Sequence, residues 1–338
     1  MLAESPKAVP IEFANALKQL GLCGSTVLQG QPLPGGISSD IWRIDTAQGP
    51  VCAKRALPKL RVSADWRAPI QRNVYEARWM RIANLAAPGC TPGLIGQHEE
   101  SGILVMSYLP PRDYQLWKEM LSQGQADVAT ARAVARILVR IHQYSAAHPE
   151  LASEFPTDEI FYNIRIEPYL VATAKRYPDL AEVFSSLVAT TQASKRTLVH
   201  GDVSPKNILI GPGGPVFLDA ECAWWGDPAF DLAFLTNHLL LKCLWCPAVA
   251  SSFLGCFDTT VDTYLGEVDW EDASDLERRT AHLLPGLFLA RVDGKSPVEY
   301  ITQDSQRERV RRVARALLLN PVSRLSEVRH AWQKELKQ

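Results

Sequence analysis

The chain has 338 residues, of which 46% are hydrophobic, and this length is enough for two lobes that each bury a core. Lysine and arginine together number 36 and aspartate and glutamate 37, so the formal net charge at pH 7 is -1. A chain so nearly neutral has no broad field that would attract nucleic acid or an anionic membrane, and its composition favours a small-molecule partner.

The cysteines and the N-terminus indicate a cytoplasmic protein. The seven cysteines are odd in number and scattered among apolar neighbours, which is typical of reduced thiols. Cys243 and Cys246 form a C-x-x-C, but no second Cys or His pair stands at zinc-site spacing. The N-terminus does not resemble a signal peptide, and no segment approaches the roughly 20 apolar residues that span a bilayer. We expect no membrane or nucleic-acid partner, and either a monomer or a homodimer.

The first third of the chain predicts a compact antiparallel lobe. An amphipathic helix at about 11–20 precedes three strand-like runs, STVLQGQPL, SDIWRID and GPVCAKRA, which are separated by Pro and Gly turn signals. A helix over about 68–87 follows, and the run GLIGQHEESGILVMSYLPP is typical of two strands joined at the turn ESG. These elements predict an N-terminal lobe at 1–109 with five antiparallel strands and one long helix.

A glycine pair lies between the first two of these strands, in the loop PLPGGISSD. Without side chains, Gly35 and Gly36 would let the backbone approach a ligand closely. An ordinary hairpin turn explains the same pair, so the loop by itself leaves both interpretations open.

The remainder of the chain, 110–338, predicts a mainly helical C-terminal lobe. Apolar residues recur at helical spacing at Ala131, Val134, Ala135, Leu138 and Ile141, which indicates a stripe that faces a core. The fold class predicted for the whole chain is therefore α+β with two lobes.

The segment LVHGDVSPKNILIG predicts a polar loop held between two short strands. Pro205 excludes a helix there, so Asp202 and Asn207 are presented at the open ends of the strands. The run VFLDAE follows, and if it continues as a strand, Asp219 and Glu221 face the same side. Asn207, Asp219 and Glu221 carry the hard oxygen ligands that suit Mg²⁺ bridging phosphates, which leaves Asp202 to orient or deprotonate a hydroxyl. A single Asp after a strand usually caps a turn, but four such residues in this order are harder to explain in that way.

The order HGDVSPKN, then LDAE, then GDPAFDLA resembles the aminoglycoside phosphotransferase (APH) family of small-molecule kinases. The resemblance implies a bilobal protein-kinase-like fold, with ATP and Mg²⁺ as cofactors and Asp202 as the catalytic residue. It follows the kinase pattern H-R-D-x-x-x-x-N and D-F-G, with Gly201 in place of the Arg. In such kinases the residues corresponding to His200 and Asp231 support the loop, and we expect a structural role for both.

The same resemblance implies a nucleotide site in the first lobe. A kinase of this type needs a Lys on the third strand for the phosphates and a Glu on the next helix to position it, and Lys54 and Glu76 stand at those places. The backbone near Ser107 and Tyr108 would meet the adenine edge, and the loop with Gly35 and Gly36 would cover the phosphates.

Within the family, the stretch AKRALPKLRVSADWRAPIQRNVYEARW is similar to the methylthioribose kinase branch. That branch carries an arginine pair for its sugar where this chain has His282 and Leu283, so we expect a different acceptor. Arg291 and Asp293, in ARVDGK, are the residues that we predict to lie near the acceptor, although an Arg that caps a helix end would explain the first.

The sequence thus predicts an ATP- and Mg²⁺-dependent kinase that phosphorylates a hydroxyl of a sugar, an aminosugar or aminoglycoside, or an amino alcohol. The acidic segment GEVDWEDASD would suit a cationic aminosugar, but a solvated loop explains it equally well. The alternative is a nucleotide-binding pseudokinase, which would be expected to lack at least one of Lys54, Asp202, Asn207 and Asp219. All four are present.

Overall fold

A computed structural model of the chain describes residues 7–24, 28–34, 38–61 and 66–338. The chain divides into two compact units, Met1–Tyr114 and Gln115–Gln338. The sequence places the division after residue 109, and the structure places it after Tyr114.

The first unit is built on an antiparallel sheet of six strands in the order β1-β2-β3-β4-β6-β5. Its elements are β1 (Lys7–Ala8), α1 (Ile11–Gln19), β2 (Gln29–Pro32), β3 (Ser39–Thr46), β4 (Gly49–Ala56), α2 (Arg72–Ala86), β5 (Leu94–His98) and β6 (Ile103–Ser107). The prediction of five strands is wrong by one. The additional strand, β1, is only two residues long and pairs with β2, so it is too short to show any alternation in the sequence.

The central strand β4 pairs with β3 on one side and β6 on the other, and it places Lys54 opposite Ile41 and Leu104. Helix α2 begins at Arg72, four residues later than the sequence suggests. The buried Arg72 donates to the carbonyls of Pro69 at 2.9 Å and Leu57 at 2.8 Å, which stabilises the chain leading into the helix.

The second unit is mainly helical, as the sequence predicts. Its helices are α3 (Trp117–Ser122), α4 (Val128–Ala146), α5 (Asp158–Phe161), α6 (Ala172–Arg176), α7 (Ala181–Ala193), α8 (Pro228–Trp245), α9 (Ala250–Gly266), α10 (Ala273–Asp293), α11 (Asp304–Leu319) and α12 (Leu325–Leu336). Between α5 and α6 the helix widens to π-type turns over Tyr162–Val171. The short strands are β7 (Gln115–Leu116), β8 (Thr197–Val199), β9 (Ile208–Gly211), β10 (Gly214–Phe217) and β11 (Trp224–Gly226).

Helix α8 is the centre of this unit, because its residues are buried from Pro228 to Leu244 and it packs against α9 and α10. A helix that is apolar on all sides is stable only inside a core. The five stripe residues of α4 are also fully buried, so the predicted apolar face is confirmed.

Two sequence features have simple structural outcomes. Within the described ranges, no helix is both long enough and apolar enough to cross a bilayer. All seven cysteines are free thiols.

We predict that Trp332→Ala lowers the free energy of unfolding by about 3–5 kcal/mol, because it empties a filled site in the core. The Trp332 ring on α12 is fully buried, meets the Phe288 ring edge-on with centroids 4.7 Å apart, and donates from Nε1 to the Leu240 carbonyl at 3.0 Å. The measurement is urea unfolding of the intact chain. Leu319→Ala is the control, because Leu319 is 55% exposed, and an equal loss in both variants would contradict the prediction.

Candidate functional site

The polar loop at residues 200–207 connects β8 to β9, the two short strands that the sequence predicts on either side of it. A 3-10 turn over Pro205–Asn207 ends the loop. The Leu218 amide donates to the Asn207 carbonyl at 2.8 Å, which attaches the end of this loop to the segment after β10.

Asp231, in the first turn of α8, supports the beginning of the loop. Its carboxylate accepts hydrogen bonds from the amides of His200 at 2.7 Å and Gly201 at 2.8 Å. His200 itself accepts from the Asp202 amide at Nδ1, 3.1 Å away, and therefore donates from Nε2 to the Leu218 carbonyl at 3.1 Å. Burial lowers the pKa of His200, so its ring is neutral at pH 7. Through these contacts Asp231 and His200 hold the backbone of the loop in place, which is the structural role expected of both.

Asp202 is buried in the middle of the loop, and the contacts of its two carboxylate oxygens differ. Oδ2 accepts from Arg165 Nη2 at 2.9 Å and from Lys206 Nζ at 3.1 Å. Oδ1 is buried and has no hydrogen-bond partner among the described residues. Burial alone would raise the pKa of Asp202, but the charges of Arg165 and Lys206 outweigh it and hold this pKa below its ordinary value.

Arg165 is the residue of this site that the sequence analysis missed. It lies in the π-type segment between α5 and α6, is only 6% exposed, and also donates from Nε to the Gly201 carbonyl. Its guanidinium lies over the rings of Tyr169 and Phe234, at 5.7 Å and 5.8 Å from their centroids. The sequence holds one signal for it, since a lone Arg between two isoleucines in YNIRIEPYL implies a buried charge with a partner elsewhere.

The predicted metal ligands lie at the end of the loop and after β10. Asn207 donates from Nδ2 to the Asp202 carbonyl at 3.0 Å, and its side-chain oxygen accepts no hydrogen bond from a described residue. Asp219 has a left-handed backbone with φ of 66° and is half-buried, whereas Glu221 is 8% exposed. The alternation argument for Asp219 and Glu221 is wrong, because the strand ends at Phe217.

Amide and carboxylate oxygens fit a hard cation such as Mg²⁺. In the part of the chain that the structure describes, no three His, Cys, Asp or Glu side chains form a metal-binding group of their own. A cation held by Asn207 and Asp219 would therefore take further ligands from phosphate and water.

Gly201 stands where the protein-kinase pattern has Arg, and the structure gives the reason. Its φ is 78°, and a Cβ there would lie 2.8 Å from both the Cβ and the carbonyl oxygen of Cys222. The guanidinium beside Asp202 instead comes from Arg165, on a separate helix. Only glycine combines this backbone with this close approach.

In the first unit, Lys54 on β4 and Glu76 on α2 form a buried ion pair with Nζ and Oε2 2.7 Å apart. They are 4% and 2% exposed. Ser107 ends β6, and its amide already donates to the Gly93 carbonyl at 2.8 Å. The Tyr108 ring lies under Arg43, 5.5 Å from centroid to guanidinium.

The other two predicted glycines, Gly35 and Gly36, lie outside the described residues. The role that we assign to them therefore stays a prediction.

Arg291 and Asp293, predicted to lie near the acceptor, line a cavity of about 550 Å³ where α10 ends and α11 begins. Asp293 accepts from Arg311 Nη2 at 2.7 Å and from the Tyr177 hydroxyl at 2.6 Å. Asp202 is not part of the cavity lining.

We predict that Gly201→Ala lowers the free energy of unfolding by about 1–3 kcal/mol, because the new methyl group meets backbone atoms in a conformation that alanine avoids. Denaturant unfolding measures this effect. The matched control is Gly213→Ala, in the turn between β9 and β10, where a Cβ meets no atom within 4 Å. Equal stability of the two variants would show that the loop can relax around the methyl group.

Comparison with known proteins places these residues in a family. A model of the phosphotransferase enzyme family APH matches residues 29–249, which is more than half of the chain. A probable ketoamine kinase of Klebsiella aerogenes is 26% identical over 43% of this chain and 52% of its own length. A methylthioribose kinase of Bacillus cereus is 22% identical over 60% of this chain and 58% of its own. The chain thus spans little more than half the length of these curated relatives.

A solved structure of an amicoumacin kinase, in complex with AMP-PNP and Ca²⁺, superposes with a TM-score of 0.53 at 14% identity. The superposition covers 92% of this chain and 94% of that one. At this identity the likeness concerns the fold, and it agrees with the protein-kinase-like α+β fold that the sequence predicts. The 200–207 loop, its supporting Asp231 and the Lys54–Glu76 pair all lie in the stretch matched by the family, and the chain belongs to the APH phosphotransferase enzyme family.

Proposed function

We propose that the protein is an ATP- and Mg²⁺-dependent kinase that transfers a phosphoryl group to a hydroxyl of a small molecule. The observation that carries the proposal is the asymmetry of the Asp202 carboxylate. Two cations hold Oδ2, whereas Oδ1 is buried and has no partner among the described residues. A buried acceptor without a donor is costly, and the hydroxyl of a bound substrate would supply that donor.

The ion pairs of Asp202 also indicate how this residue acts. Because its pKa lies below the ordinary value, the carboxylate is a weak base at pH 7. It is therefore better suited to orienting a hydroxyl than to removing its proton early. Phosphoryl transfer through a loose transition state needs mainly positioning and charge stabilisation, so a weak but fixed carboxylate is sufficient.

Mg²⁺ would be held by Asn207 and Asp219, with Glu221 as a proposed third ligand. The unused amide oxygen of Asn207 and the carboxylate of Asp219 supply the hard ligands. Glu221 is buried near the charge of Arg165. When bound, the cation would neutralise charge on the phosphates.

The nucleotide phosphates would be held by Lys54, which Glu76 positions through the 2.7 Å ion pair. Tyr108 is the proposed residue at the adenine edge, since the Ser107 amide is occupied by Gly93. The amicoumacin kinase of the same fold was solved with an ATP analogue, which supports a nucleotide as the donor.

We expect Asp202→Asn to lower kcat by about 10²–10⁴-fold, because the amide cannot accept and orient the hydroxyl as a carboxylate does. Nucleotide binding should be unchanged. The assay is ADP release from Mg²⁺-ATP with a pooled metabolite extract, corrected for a reaction without extract, and the phosphorylated product is identified by mass spectrometry. Asp269→Asn is the control, because Asp269 is an exposed carboxylate of the same unit.

Full activity of Asp202→Asn would refute the assigned role of this residue. If the wild-type protein binds nucleotide but releases no ADP with any fraction of the extract, the kinase proposal fails, and a nucleotide-binding regulator explains the site better.

We expect Arg165→Met to move the acid limb of the profile of kcat/KM against pH upward by about 1–2 pH units. The ionised carboxylate is the active form, and Arg165 helps to hold the pKa of Asp202 below its ordinary value. Wild-type activity should therefore persist as pH falls towards that low pKa, whereas loss of the guanidinium raises the pKa and ends activity at higher pH. Arg140→Met, on the exposed face of α4, should leave the profile in place. An unshifted acid limb in Arg165→Met would contradict this assignment.

A further inference from the structure

Lys242, in the last turn of α8, is a buried amine that no carboxylate of the described residues pairs with. The residue is 1% exposed, and its Nζ lies 4.4 Å from the ring centroid of Trp245 and 4.2 Å from that of Tyr300. These two rings stack with centroids 4.5 Å apart. Lys242 forms no ion pair or hydrogen bond within the described ranges. Aromatic faces offset only part of the cost of burying an ammonium group, and no carboxylate of the described residues pairs with it.

Arg291 repeats this pattern on α10. It is 7% exposed, and its Nη1 donates to the Ser296 carbonyl, and to the Tyr169 hydroxyl and Ser296 Oγ, the last two at 3.2 Å. Its Nε is buried without a partner, and no carboxylate of the described chain pairs with it. The hydroxyl of Tyr300 is likewise buried and forms no hydrogen bond with a described residue.

His238 is a third buried polar group near Lys242 and Arg291. It lies one turn before Lys242 on α8, is 5% exposed, and has no hydrogen-bond partner for Nε2 among the described residues. Burial lowers the pKa of His238 well below its ordinary value, and Arg291, Lys242, Lys206 and Lys118 lower it further. The charges of four cations, on α3, α8, α10 and the 200–207 loop, therefore act on this imidazole.

The same groups are adjacent to the loop that carries Asp202. Lys206 is 3.1 Å from the Asp202 carboxylate. The Tyr169 ring lies under the guanidinium groups of both Arg165 and Arg291, whose central carbons are 5.7 Å and 5.6 Å from its centroid. Helix α3, which carries Lys118, packs against both the Pro205–Asn207 turn and α8.

Acidic groups do not balance these charges. Glu299 pairs with Lys118, but its side chain is 63% exposed. The acidic segment 266–275 is occupied elsewhere, since Glu271 pairs with Arg279 and Asp272 accepts from the Ser274 amide at the start of α10. Glu271 and Asp272 therefore already have partners within the protein.

We infer that the acceptor carries an anionic group, a carboxylate or a phosphate, in addition to its reacting hydroxyl, and that Lys242, Arg291, His238 and Tyr300 bind the oxygens of this group. The inference rests on the proposed kinase function and defines the chemical class of its acceptor as an anionic sugar or polyol. A bound anion would supply the missing counter-charge for the two cations and the hydrogen-bond partner for the two orphaned polar groups.

The binding of such an anion should depend on pH. Burial lowers the pKa of Lys242 to about 7, and Lys118 and Arg291 favour the same direction while Glu299 and Cys246 oppose it. An anion favours the ammonium form, so the pKa of Lys242 rises in the complex. Affinity should be constant below the pKa of the free protein and fall by up to about tenfold per pH unit above it, with uptake of one proton on binding.

The test compares four sugars on one skeleton: glucose, glucosamine, glucuronate and glucose 6-phosphate. Binding is measured by calorimetry with the nucleotide site filled by Mg²⁺ and AMP-PNP, at pH 6.5 and 8.5 and in two buffers of different ionisation enthalpy. We expect glucuronate or glucose 6-phosphate to bind at least about tenfold more tightly than glucose and glucosamine, because only they pair with the buried cations. Whichever of the two binds more tightly identifies the group as carboxylate or phosphate.

Lys242→Met removes the charge and keeps the length of the side chain. It should weaken binding of the preferred anion by on the order of 30-fold and abolish proton uptake. It should also raise Tm, because an unpaired buried charge is removed. Lys175→Met, an exposed lysine of the same unit, is the matched control and should bind as the wild type does.

Several outcomes would overturn the inference. These are tighter binding of glucose or glucosamine, no binding of either anionic sugar, or an anion affinity that Lys242→Met leaves unchanged. The wild-type proton-uptake measurement gives a result even if the variant does not fold. Because binding is measured without turnover, failure of this inference is distinguishable from failure of the kinase proposal, which is read from ADP release.

Discussion

The buried carboxylate of Asp202 and its two cations are the interaction on which the site depends. Arg165 binds the carboxylate and also the carbonyl of Gly201, so one guanidinium holds both the side chain and the backbone of the loop. Removing Asp202 would leave the buried guanidinium without a carboxylate, and removing Arg165 would leave the buried carboxylate with Lys206 alone. The left-handed turn at Gly201 and the hydrogen bonds from the loop amides to Asp231 bring Asp202 to the position where Arg165 can reach it.

Helix α8 carries both core residues and residues of the proposed site in the second unit. Its burial supplies a large part of the core, yet it also carries buried polar residues. Asp231 at its beginning supports the 200–207 loop, and Lys242 near its end lacks a counter-charge among the described residues. Buried polar groups of this kind lower stability and are the pattern expected of functional sites.

Local sequence patterns predicted the long helices and strands well. The apolar stripe of α4 and the β3–β4 and β5–β6 hairpins follow from periodicity and turn residues, which depend on near neighbours. The misses are short or irregular. Strand β1 has two residues, and the alternation expected at Asp219 and Glu221 fails because β10 ends at Phe217 and Asp219 takes a left-handed backbone.

The sequence by itself determined the family, the two-part organisation and the loop residues Asp202 and Asn207, because these depend on residue type and close spacing. Only the tertiary structure decided which charges meet. Arg165 reaches Asp202 across 37 positions of sequence, and Arg291 contacts Tyr169 across 122. Contacts of this kind leave no local pattern in the sequence, because they need only that two distant elements pack together. The same limit hides Lys242 in an apolar run, where only packing shows that the described residues leave it without a counter-charge.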